Sequence, residues 1–440
     1  MGRAQHSSSP AGDGVGIAKS QRFILAWNIN HLTCTMEINL PNAVECLIVI
    51  NCGSSSLKFA VFSLAGETVL LKGLAERLDR PDAVLTLTRD GRSEVLAIPW
   101  GSHHTALQKS VAELGDLKPC GFGHRIVHGG ERFTRSALID ERVFSAIEEC
   151  SSLAPLHNPA NLIGIRVARE LFPDLPQVAV FDTAFHQTLP AKAFLYAIPF
   201  HYYEDLQIRR YGFHGTSHHY VSLEAAGILG KPPQHTSLIT IHLGNGCSAC
   251  AVKNGASVDS TMGLTPGEGL VMGTRSGDVD PALHQFLHDQ TGMPLGEITT
   301  ILNSRSGLLG LSGLSNDMRT LSDAARAGHP RAKLAIEVFC YRLAKSICGL
   351  MAGLDSLDAL VFTGGIGENS SEVRALTVAH LKILGVSLDC EDNANHGKSN
   401  HGWISGPNSR IPCLVVPTNE ELMIAREALC LISLTDLPRP

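Results

Sequence analysis

One local pattern occurs twice in this chain and constrains its fold more than any other feature. Residues 46–62 read CLIVINCGSSSLKFAVF, and residues 236–261 read TSLITIHLGNGCSACAVKNGASVDST. Each segment has a buried strand, a turn rich in Gly, Ser or Asn, and a second strand, as in a β-hairpin. Helical stretches that alternate with short apolar strands follow both hairpins, which favours an α/β protein over an all-β one. The repeat predicts two duplicated α/β domains that face each other across a cleft.

The length and the composition along the chain set the predicted domain boundaries. A chain of 440 residues is long enough for two domains. We predict an N-terminal domain from 45–183 plus 417–440 and a C-terminal domain from 184–416. Residues 1–44 contain a small, polar, Gly/Pro-containing stretch and show no clear period. They are predicted to be a disordered extension, in which Met36 is an alternative start.

The composition argues against several classes of function. The net charge of −6 opposes bulk attraction to nucleic acid or to an anionic membrane. No stretch approaches the roughly 18 apolar residues of a membrane span, and no signal peptide is evident. Twelve cysteines are scattered without a framework spacing, which predicts reduced thiols in a cytoplasmic protein. The pair Cys247 and Cys250 lies in a strand-like segment that places the two side chains on opposite faces, so a shared metal is not expected.

The first hairpin turn has the composition of a phosphate-binding turn. It reads NCGSSSLK from Asn51 to Lys58. Glycine allows close backbone approach, the serine hydroxyls lie beside backbone N–H groups, and Lys58 adds a positive charge. A plain hairpin with a polar tip is the alternative. The turn is not a P-loop, because no GxxxxGK[ST] pattern occurs and a strand follows it instead of a helix.

Two long motifs make the chain resemble the acetate kinase family. VINCGSSSLK at 49–58 is similar to the first family signature, and GLTPGEGLVMGTRSGDVDP at 263–281 is similar to the second. The shorter motifs GHRIVHGGE, LAPLHNP, VFDTAFHQT, RRYGFHGTSH, HLGNG, FTGGIGEN and PTNEEL agree with this resemblance. It covers about residues 45–432. It implies actin/ribonuclease-H-like domains, as in hexokinase and the heat-shock ATPases, and a homodimer. It also implies transfer of the γ-phosphoryl group of ATP to acetate, giving ADP and acetyl phosphate, with Mg²⁺ or alternatively Mn²⁺.

A carboxylate acceptor determines what such a site must supply. This group is a weak nucleophile that is already ionised at pH 7, so little base catalysis is needed. The repulsion between a carboxylate and a triphosphate must be neutralised, and the reacting atoms must be aligned. The reaction therefore predicts arginines, a histidine donor and oxygen ligands for a metal.

Four residues are candidates for this chemistry. Arg125 follows a short strand, Asp182 ends the buried strand VAVF, and Arg275 lies in a glycine-rich loop. The resemblance implies that Arg125 binds the carboxylate, that Arg275 stabilises the transferring phosphoryl group, and that His214 donates a hydrogen bond to it. For Asp182 it implies an acid/base or a metal-organising role, and we favour the latter because the acceptor has no proton to lose. His157 is a further position in the cleft, with turn stabilisation as the alternative.

The resemblance also implies where the nucleotide and the metal bind. The second hairpin turn mirrors the first, although Asn-Gly is also an ordinary hairpin turn. FTGGIGENS runs from a strand through glycines to a helix N-terminus, which admits a ligand. The predicted nucleotide-binding residues are Lys58, His242, Leu243, Gly244, Asn245, Gly246, Asp317, Met318, Arg319, Gly365, Ile366, Gly367, Glu368 and Asn369. The predicted metal group is Asn51 and Glu420. Beside it, Thr418 and Glu421 form a capping-box pattern.

The substrate pocket is predicted by matching as Val127, Leu156, Phe213 and Pro266. Related propionate kinases tend to have a smaller residue at the position of Val127, so valine favours acetate. The stretch GLSGLSNDMR is nevertheless similar to propionate kinases. One methylene is worth only about 1–3 kcal/mol of discrimination, so propionate or overlapping short-chain carboxylates are the alternative.

Two other classes of protein share the implied fold. A nucleotide-switched binding protein would not need Arg125, Arg275 and His214 around a small acyl pocket. A sugar kinase or another non-acyl ATPase would need a base near a hydroxyl and a wide polar pocket, whereas the predicted pocket is apolar. The predicted partners are a small carboxylate and ATP, with no nucleic acid and no membrane.

Overall fold

The structure is a computed structural model that describes residues 45–64, 67–155 and 157–435, and the backbone of 22–29 and 32–39. The predicted extension 1–44 therefore lies mostly outside the described residues. Within it the backbone forms an antiparallel hairpin that was not among the predicted elements. The strands are β1 Arg22–Ile29, β2 Leu32–Asn39, β3 Glu45–Gly53, β4 Ser56–Ser63, β5 Val69–Glu76, β6 Val84–Arg89, β7 Arg92–Ala97, β8 Lys118–Ile126, β9 Ala137–Leu138, β10 Gln177–Phe181, β11 Ser237–Leu243, β12 Cys247–Lys253, β13 Ala256–Ser260, β14 Ala359–Thr363 and β15 Cys413–Val415.

Helices alternate with the later strands of each sheet, as the sequence pattern predicts. They are α1 His103–Ala112, α2 Glu141–Glu149, α3 Asn158–Leu171, α4 Ala191–Phe194, α5 His201–Leu206, α6 Gly215–Ile228, α7 Leu283–Thr291, α8 Leu295–Ser304, α9 Gly307–Ser312, α10 Met318–Arg326, α11 Pro330–Leu350, α12 Gly364–Asn369, α13 Ser371–Ala379, α14 Cys390–Ala394 and α15 Glu420–Thr435. No described helix is long and apolar enough to cross a membrane.

The strand order of the two large sheets repeats. The first sheet has the order β7-β6-β5-β4-β3-β8-β10-β9, and the second has β13-β12-β11-β14-β15. In both, the hairpin strands pair antiparallel, and the first of them also pairs in parallel with a later strand. Within the first sheet, β5-β4-β3-β8-β10 therefore has the same arrangement as the whole second sheet. The predicted α/β class with a duplicated fold is confirmed.

The parallel strands place their carboxyl ends at one edge of each sheet. β10 and β14 are buried along their whole length, as expected for strands that helices cover on both faces. The functional motifs follow such strands directly. Ligands bind beyond the carboxyl ends of strands in open α/β sheets, so these two edges are where a site is expected.

The last helix, α15, returns to the first sheet. Its apolar side chains, Leu422, Ile424 and Ala428 among them, pack against residues of β3, β4 and β10 in one buried cluster. Gly123 of β8 permits this close contact, because a Cβ on it would lie 2.8 Å from Ile424 Cγ2. This packing fixes the position of Glu420, the first residue of the helix.

The start of α15 differs from the predicted capping box. The side-chain oxygen of Asn419 accepts from the backbone N–H of Leu422 at 3.1 Å, which makes Asn419 the N-cap. The Thr418 hydroxyl instead bonds the Ser217 hydroxyl at 2.8 Å. The capping-box prediction was wrong by one residue because a tertiary contact occupies the Thr418 side chain. Glu421 forms an ion pair with Lys72 of β5 at 3.8 Å.

Candidate active site

An arginine and an aspartate meet where two neighbouring parallel strands end. Arg125 lies on β8 and Asp182 directly follows β10, and these strands pair in register. Arg125 Nε donates to Asp182 Oδ1 at 3.1 Å, and Nη2 donates to Oδ2 at 2.7 Å. This bidentate geometry gives a directional, charge-assisted pair. The Asp182 side chain is 2% exposed and that of Arg125 is 20% exposed, so the arginine is the partner that faces the cleft.

The surroundings keep the guanidinium charged. Burial lowers the pKa of Arg125, but the Asp182 and Glu420 carboxylates outweigh it and raise the pKa above its ordinary value. Burial raises the pKa of Asp182, and the adjacent guanidinium opposes that shift. Glu420 acts electrostatically on both partners. The pair and Glu420 thus belong to one charged cluster at the edge of the first sheet.

His214 is held against this edge by the start of α6. It has left-handed backbone torsions, with φ of 55°, immediately before the helix begins. The next residue, Gly215, donates its backbone N–H to the Asp182 carbonyl at 2.9 Å. A Cβ on Gly215 would lie 2.2 Å from that carbonyl oxygen, so only glycine fits there. Burial, followed by the neighbouring histidines and arginines, lowers the pKa of His214 well below 6.5. His214 is therefore neutral at pH 7 and acts as a hydrogen-bonding group.

The glycine-rich loop brings Arg275 to the same place. Arg275 Nη1 donates to the Pro266 carbonyl at 3.0 Å, which holds the guanidinium inside its own loop. A Cβ built on Gly246 would lie 3.4 Å from Arg275 Nη1 and 3.4 Å from His214 Nε2. Arg275 and His214 therefore converge on the turn of the second hairpin.

Gly273 explains how the loop reaches that turn. It donates its N–H to the Asn245 carbonyl at 2.9 Å, and a Cβ on it would lie 2.1 Å from Asn245 Oδ1. A larger residue at position 273 would push the loop away from the second hairpin.

His157 lies within electrostatic reach of both arginines. Burial, then Arg275 and Arg125, lower its pKa from 6.5. It occupies the N-cap position of α3 without making a side-chain capping bond. No capping bond therefore supports a turn-stabilising role for the His157 side chain. Its proximity to both arginines favours a position in the cleft.

The predicted acyl pocket is partly described. Val127 and Phe213 are buried and belong to one apolar cluster, which also includes Leu270 and Met272 of the glycine-rich loop. Pro266 lies against Arg275 through its carbonyl. Leu156 lies outside the described residues. The described members place an apolar wall beside two arginines, which suits an anion with a short apolar tail.

A cavity of about 680 Å³ lies on the side of the second sheet, and its lining includes Gly244 and Asn245 of the second hairpin turn. It connects the second hairpin turn, the start of α10 and the glycine-rich start of α12, which are the three segments that the resemblance implies for the nucleotide. The predicted residues that line it are Gly244, Asn245, Asp317, Met318, Arg319, Gly365, Ile366 and Asn369. Lining residues that sequence reasoning missed are Asn316, Ser322, Asp323, Arg326, Ser370, Ser371 and Glu372. Ser370 is the N-cap of α13, so the strand–glycine–helix pattern contained a signal for this helix start.

Several residues around the cavity also have structural roles. Asp317 caps α10 by accepting from Thr320 N at 2.9 Å. Arg319 is 91% exposed and pairs with Asp317 at 3.2 Å. Met318 is only 4% exposed and packs in the core, so little of its thioether faces the cavity. The carboxylate of Asp323 pairs with Arg326 at 2.6 Å.

The other predicted nucleotide residues do not line this cavity. His242 stacks on His214 with ring centroids 4.3 Å apart, and Leu243 is buried in the core. The Gly367 carbonyl accepts from the buried Arg374 side chain at 2.7 Å. Lys58 belongs to the first hairpin, where it pairs in register with Asn51. Gly246 lies at the Arg275–His214 contact described above.

Glu368 connects two segments of the chain. Its Oε1 accepts from the Gly364 N–H at 2.9 Å and from the Thr418 N–H at 3.0 Å. This carboxylate thereby ties the glycine-rich start of α12 to the start of α15. The structure gives Glu368 a scaffolding role that its sequence context did not indicate.

The first hairpin turn is short and faces the ends of β8 and β10. Gly53 pairs with Ser56, so only Ser54 and Ser55 form the turn. Asn161 of α3 donates to the Cys52 carbonyl at 2.8 Å and accepts from the Val127 N–H at 3.1 Å. The amide of Asn161 therefore fixes the turn relative to the end of β8.

The oxygen-bearing groups at this edge are Asn51, Asp182 and Glu420. No group of three or more His, Cys, Asp or Glu side chains in the described part of the chain is arranged as a ready metal site. Two carboxylates and one amide are hard donors of the kind that Mg²⁺ accepts together with water and phosphate oxygens. The side chains of Cys247 and Cys250 lie in different apolar clusters, on opposite faces of β12, as predicted.

Comparisons with known proteins agree on one family. Residues 46–426 match the model of the Acetokinase family. An acetate kinase of Stutzerimonas stutzeri is 55% identical over 390 residues, which cover 88% of this chain and 98% of that protein. An acetate kinase of Deinococcus deserti is 55% identical over 385 residues, which cover 86% of this chain and 96% of that protein.

Solved structures show the same similarity in three dimensions. A propionate kinase from Francisella tularensis has a TM-score of 0.83 at 45% identity, covering 87% of this chain and 98% of that one. The acetate kinase of Porphyromonas gingivalis has a TM-score of 0.82 at 41% identity, covering 88% of this chain and 100% of that one.

Proposed function

The chain belongs to the acetokinase family, and we propose that it transfers the γ-phosphoryl group of ATP reversibly to acetate, giving acetyl phosphate and ADP. The observation that carries this proposal is the convergence of Arg275 Nη1 and His214 Nε2 on Gly246, between the nucleotide cavity and the Arg125–Asp182 pair. Acetate kinases at about half identity over nearly their full length support it.

The reaction forms one bond and breaks one bond at the γ-phosphorus. A carboxylate oxygen of acetate bonds to this phosphorus, and the bond to the oxygen bridging it to ADP breaks. No proton leaves the acceptor, so catalysis consists of charge neutralisation and alignment. Arg125 binds the carboxylate, Arg275 neutralises the developing phosphoryl charge, and neutral His214 donates to a phosphoryl oxygen. Val127, Leu156, Phe213 and Pro266 surround the methyl group.

We propose that Asn51 and Glu420 hold Mg²⁺, or Mn²⁺ in its place, with Asp182 organising the site. The donor set supports this, because all three supply hard oxygen atoms and Glu420 acts electrostatically on Asp182. The metal supplies neutralisation of phosphate charge when it is bound. Asp182 meanwhile keeps Arg125 oriented through two hydrogen bonds.

The nucleotide is proposed to bind in the 680 Å³ cavity. The start of α12 and the N-cap of α13 supply a glycine-rich approach and backbone donors for a phosphate-bearing ligand. Lys58, in the first hairpin, and the second hairpin turn from His242 to Gly246 are proposed to contact the phosphates. Gly367 and Glu368 are proposed to support this site through their bonds to Arg374 and Thr418.

Trapping of the acyl phosphate tests the proposed function. Enzyme, ATP, Mg²⁺ and acetate are incubated with hydroxylamine, and acetyl hydroxamate is measured. We expect product with acetate at a higher kcat/KM than with propionate or butyrate. A higher kcat/KM with propionate would make the protein a propionate kinase. No hydroxamate from any of the three acids would overturn the proposal and leave a sugar kinase, another ATPase or a nucleotide-switched binding protein.

We propose the division into an N-terminal domain, 45–183 plus 417–440, and a C-terminal domain, 184–416. The described strands of the first sheet lie within 45–181 and those of the second within 237–415, which supports this division. The packing of α15 on the first sheet supports assigning the end of the chain to the N-terminal domain.

We propose that the protein is a cytoplasmic homodimer. The described cysteines are all unbridged, as expected in a reducing compartment. Large apolar side chains on α7, α8 and α11 are exposed, including Phe286 at 61% and Leu295 at 64%. Light scattering tests the assembly, and a monomeric mass at micromolar concentration would contradict it.

A further inference from the structure

A chain of three buried polar side chains leads from the interior of the second sheet to His214. Thr240 Oγ1 of β11 lies 2.7 Å from His218 Nδ1 of α6, and His218 Nε2 lies 2.8 Å from Ser248 Oγ of β12. Ser248 Oγ also lies 2.8 Å from His214 Nδ1. Thr240, His218 and Ser248 are 0% exposed, so water does not interrupt these bonds.

Because both histidine rings are neutral and each hydroxyl has one proton, the hydrogen bonds along this series of side chains must all point in the same direction. The pKa of His214 and that of His218 are both lowered well below 6.5, in each case mainly by burial. A neutral imidazole has one N–H and one acceptor nitrogen, and a hydroxyl has one proton. Ser248 can therefore donate to only one of its two histidines and must accept from the other. Among the described residues, the Ser248 hydroxyl has no third hydrogen-bond partner. It therefore cannot accept from both histidines and donate its proton elsewhere.

The two directions give His214 opposite properties at Nε2. If protons point from Thr240 toward His214, then Ser248 donates to His214 Nδ1 and the ring proton is on Nε2. If they point the other way, His214 Nδ1 donates to Ser248 and Nε2 carries a lone pair. Nε2 is the atom that faces Gly246 beside Arg275 Nη1. A proton there suits a phosphoryl oxygen, whereas a lone pair would repel it.

The geometry at Thr240 selects between the directions. In the reverse direction, the Thr240 hydroxyl would have to donate to the Cys250 carbonyl, which lies 3.5 Å away. That distance is long for an O–H···O bond, whereas 2.7 Å to His218 Nδ1 is typical. The forward direction therefore satisfies the Thr240 proton better and leaves the Nε2 proton on His214.

We propose that Thr240, His218 and Ser248 are positioning residues that hold neutral His214 in the tautomer with its proton on Nε2, ready to donate to the transferring phosphoryl group. The proposal rests on the proposed function for what the donated bond does, but the tautomer itself is a property of the resting protein. The stacking of His242 on His214 adds to it by fixing the ring plane.

Nitrogen-15 NMR of the protein with labelled histidines tests the tautomer directly. We expect the neutral His214 ring to carry its proton on Nε2 and the neutral His218 ring to carry its proton on Nε2 as well. A proton on His214 Nδ1 in the resting protein would overturn the proposal, whether or not the enzyme forms hydroxamate. Conversely, absence of hydroxamate with the expected tautomer would overturn the proposed function, whereas the proposed positioning of the His214 proton would stand.

Substitution of Thr240 separates positioning from packing. Thr240→Val keeps the shape of the side chain and removes its hydroxyl, so His218 Nδ1 loses its donor. We expect kcat to fall about 10- to 100-fold with KM for acetate and ATP changed less than about 2-fold, together with a shift of His214 toward the Nδ1-protonated form. Thr240→Ser keeps the hydroxyl and is therefore expected to retain both the Nε2 tautomer of His214 and most of kcat.

A matched control is available immediately before the same strand. The hydroxyl of the buried Thr236 donates only locally, to the Pro233 carbonyl at 2.8 Å, so Thr236→Val should leave kcat within about 2-fold. A fall in kcat in Thr240→Val without a change in tautomer would overturn the proposal, because the loss would then be structural. If Thr240→Val does not fold, Ser248→Ala is examined in the same way, and retention of the Nε2 tautomer there at full kcat would also overturn it.

Discussion

Arg125 presents only part of its hydrogen-bonding capacity to the cleft. A guanidinium has five N–H donors, and the two bonds to Asp182 occupy two of them in a fixed geometry. In the proposed site, the remaining donors are held in place for an incoming carboxylate, so little side-chain entropy is lost when it binds. We propose that Asp182 organises the site in two ways, by orienting Arg125 and by adding a carboxylate near Glu420.

Replacing Asp182 by asparagine distinguishes metal organisation from base catalysis. Asp182→Asn keeps the size of the side chain and removes its charge. We expect the Mg²⁺ concentration at half-maximal rate to rise about 10- to 100-fold, because a residue that organises a metal site contributes to its affinity. Steady-state rates over a Mg²⁺ titration measure this.

The control for that titration is Asp358→Asn. Asp358 accepts from the Ser237 N–H and pairs with Lys231 outside the site, so its Mg²⁺ dependence should match the parent protein. A loss of kcat in Asp182→Asn with an unchanged Mg²⁺ dependence would contradict metal organisation and leave the orientation of Arg125 or an acid/base role as the cause.

Individual residues differed in how far the sequence could predict them. Arg125, Asp182, His214 and Arg275 lie in distinctive motifs, and the structure places them around one cleft. The Thr240–His218–Ser248 chain joins helix α6 to the hairpin strands β11 and β12 across 22 and 30 residues, so no local pattern could indicate it. Contacts of this kind depend on the folded arrangement alone.

At the scale of elements, the repeated hairpins predicted the sheets because burial and turn chemistry are local properties. The α/β class and the duplication followed from the same pattern, whereas the strand order was seen only in the structure. The cap of α15 did not, since Thr418 and Asn419 are both good N-cap residues and the choice depends on Ser217 and Glu368 across the cleft. Tertiary hydrogen bonds therefore decide where this helix begins.

The contact between α15 and β8 predicts a sensitive glycine. In Gly123→Ala the new methyl group would meet Ile424 Cγ2 at 2.8 Å and Ala428 Cβ at 3.2 Å. We expect a loss of about 1–3 kcal/mol in the free energy of unfolding, because overpacking a close helix–sheet contact forces one element to move. Urea denaturation followed by circular dichroism measures this.

Two comparisons make that loss specific to the contact. Gly227→Ala, in α6, meets nothing within 4 Å and should be neutral or stabilising. In an Ile424→Ala background, Gly123→Ala should cost clearly less than in the parent protein, because the clashing methyl is gone. Equal costs in both backgrounds would rule out the proposed clash.

At the scale of the whole molecule, the site draws its groups from both sheets. Arg125 and Asp182 lie at the end of the first sheet, whereas the residues that line the proposed nucleotide cavity all lie between Gly244 and Glu372. With the binding sites that we propose, a nucleotide bound on the second side must be brought to an acetate bound on the first. The duplicated fold, with one sheet on each side, therefore makes phosphoryl transfer depend on how closely the two sides approach.

Nucleotide binding is expected to draw the two sides together. Closure excludes water and aligns the phosphoryl group with the carboxylate, so the radius of gyration from small-angle X-ray scattering should decrease when Mg²⁺ and ATP are added. Gly365→Leu provides the control, since Gly365 lines the cavity and a Cβ built on it meets nothing within 4 Å. This variant should fold normally, block the nucleotide and show no compaction. An unchanged profile in the parent protein, at saturating nucleotide, would mean that transfer occurs without closure and that the described arrangement is already the reactive one.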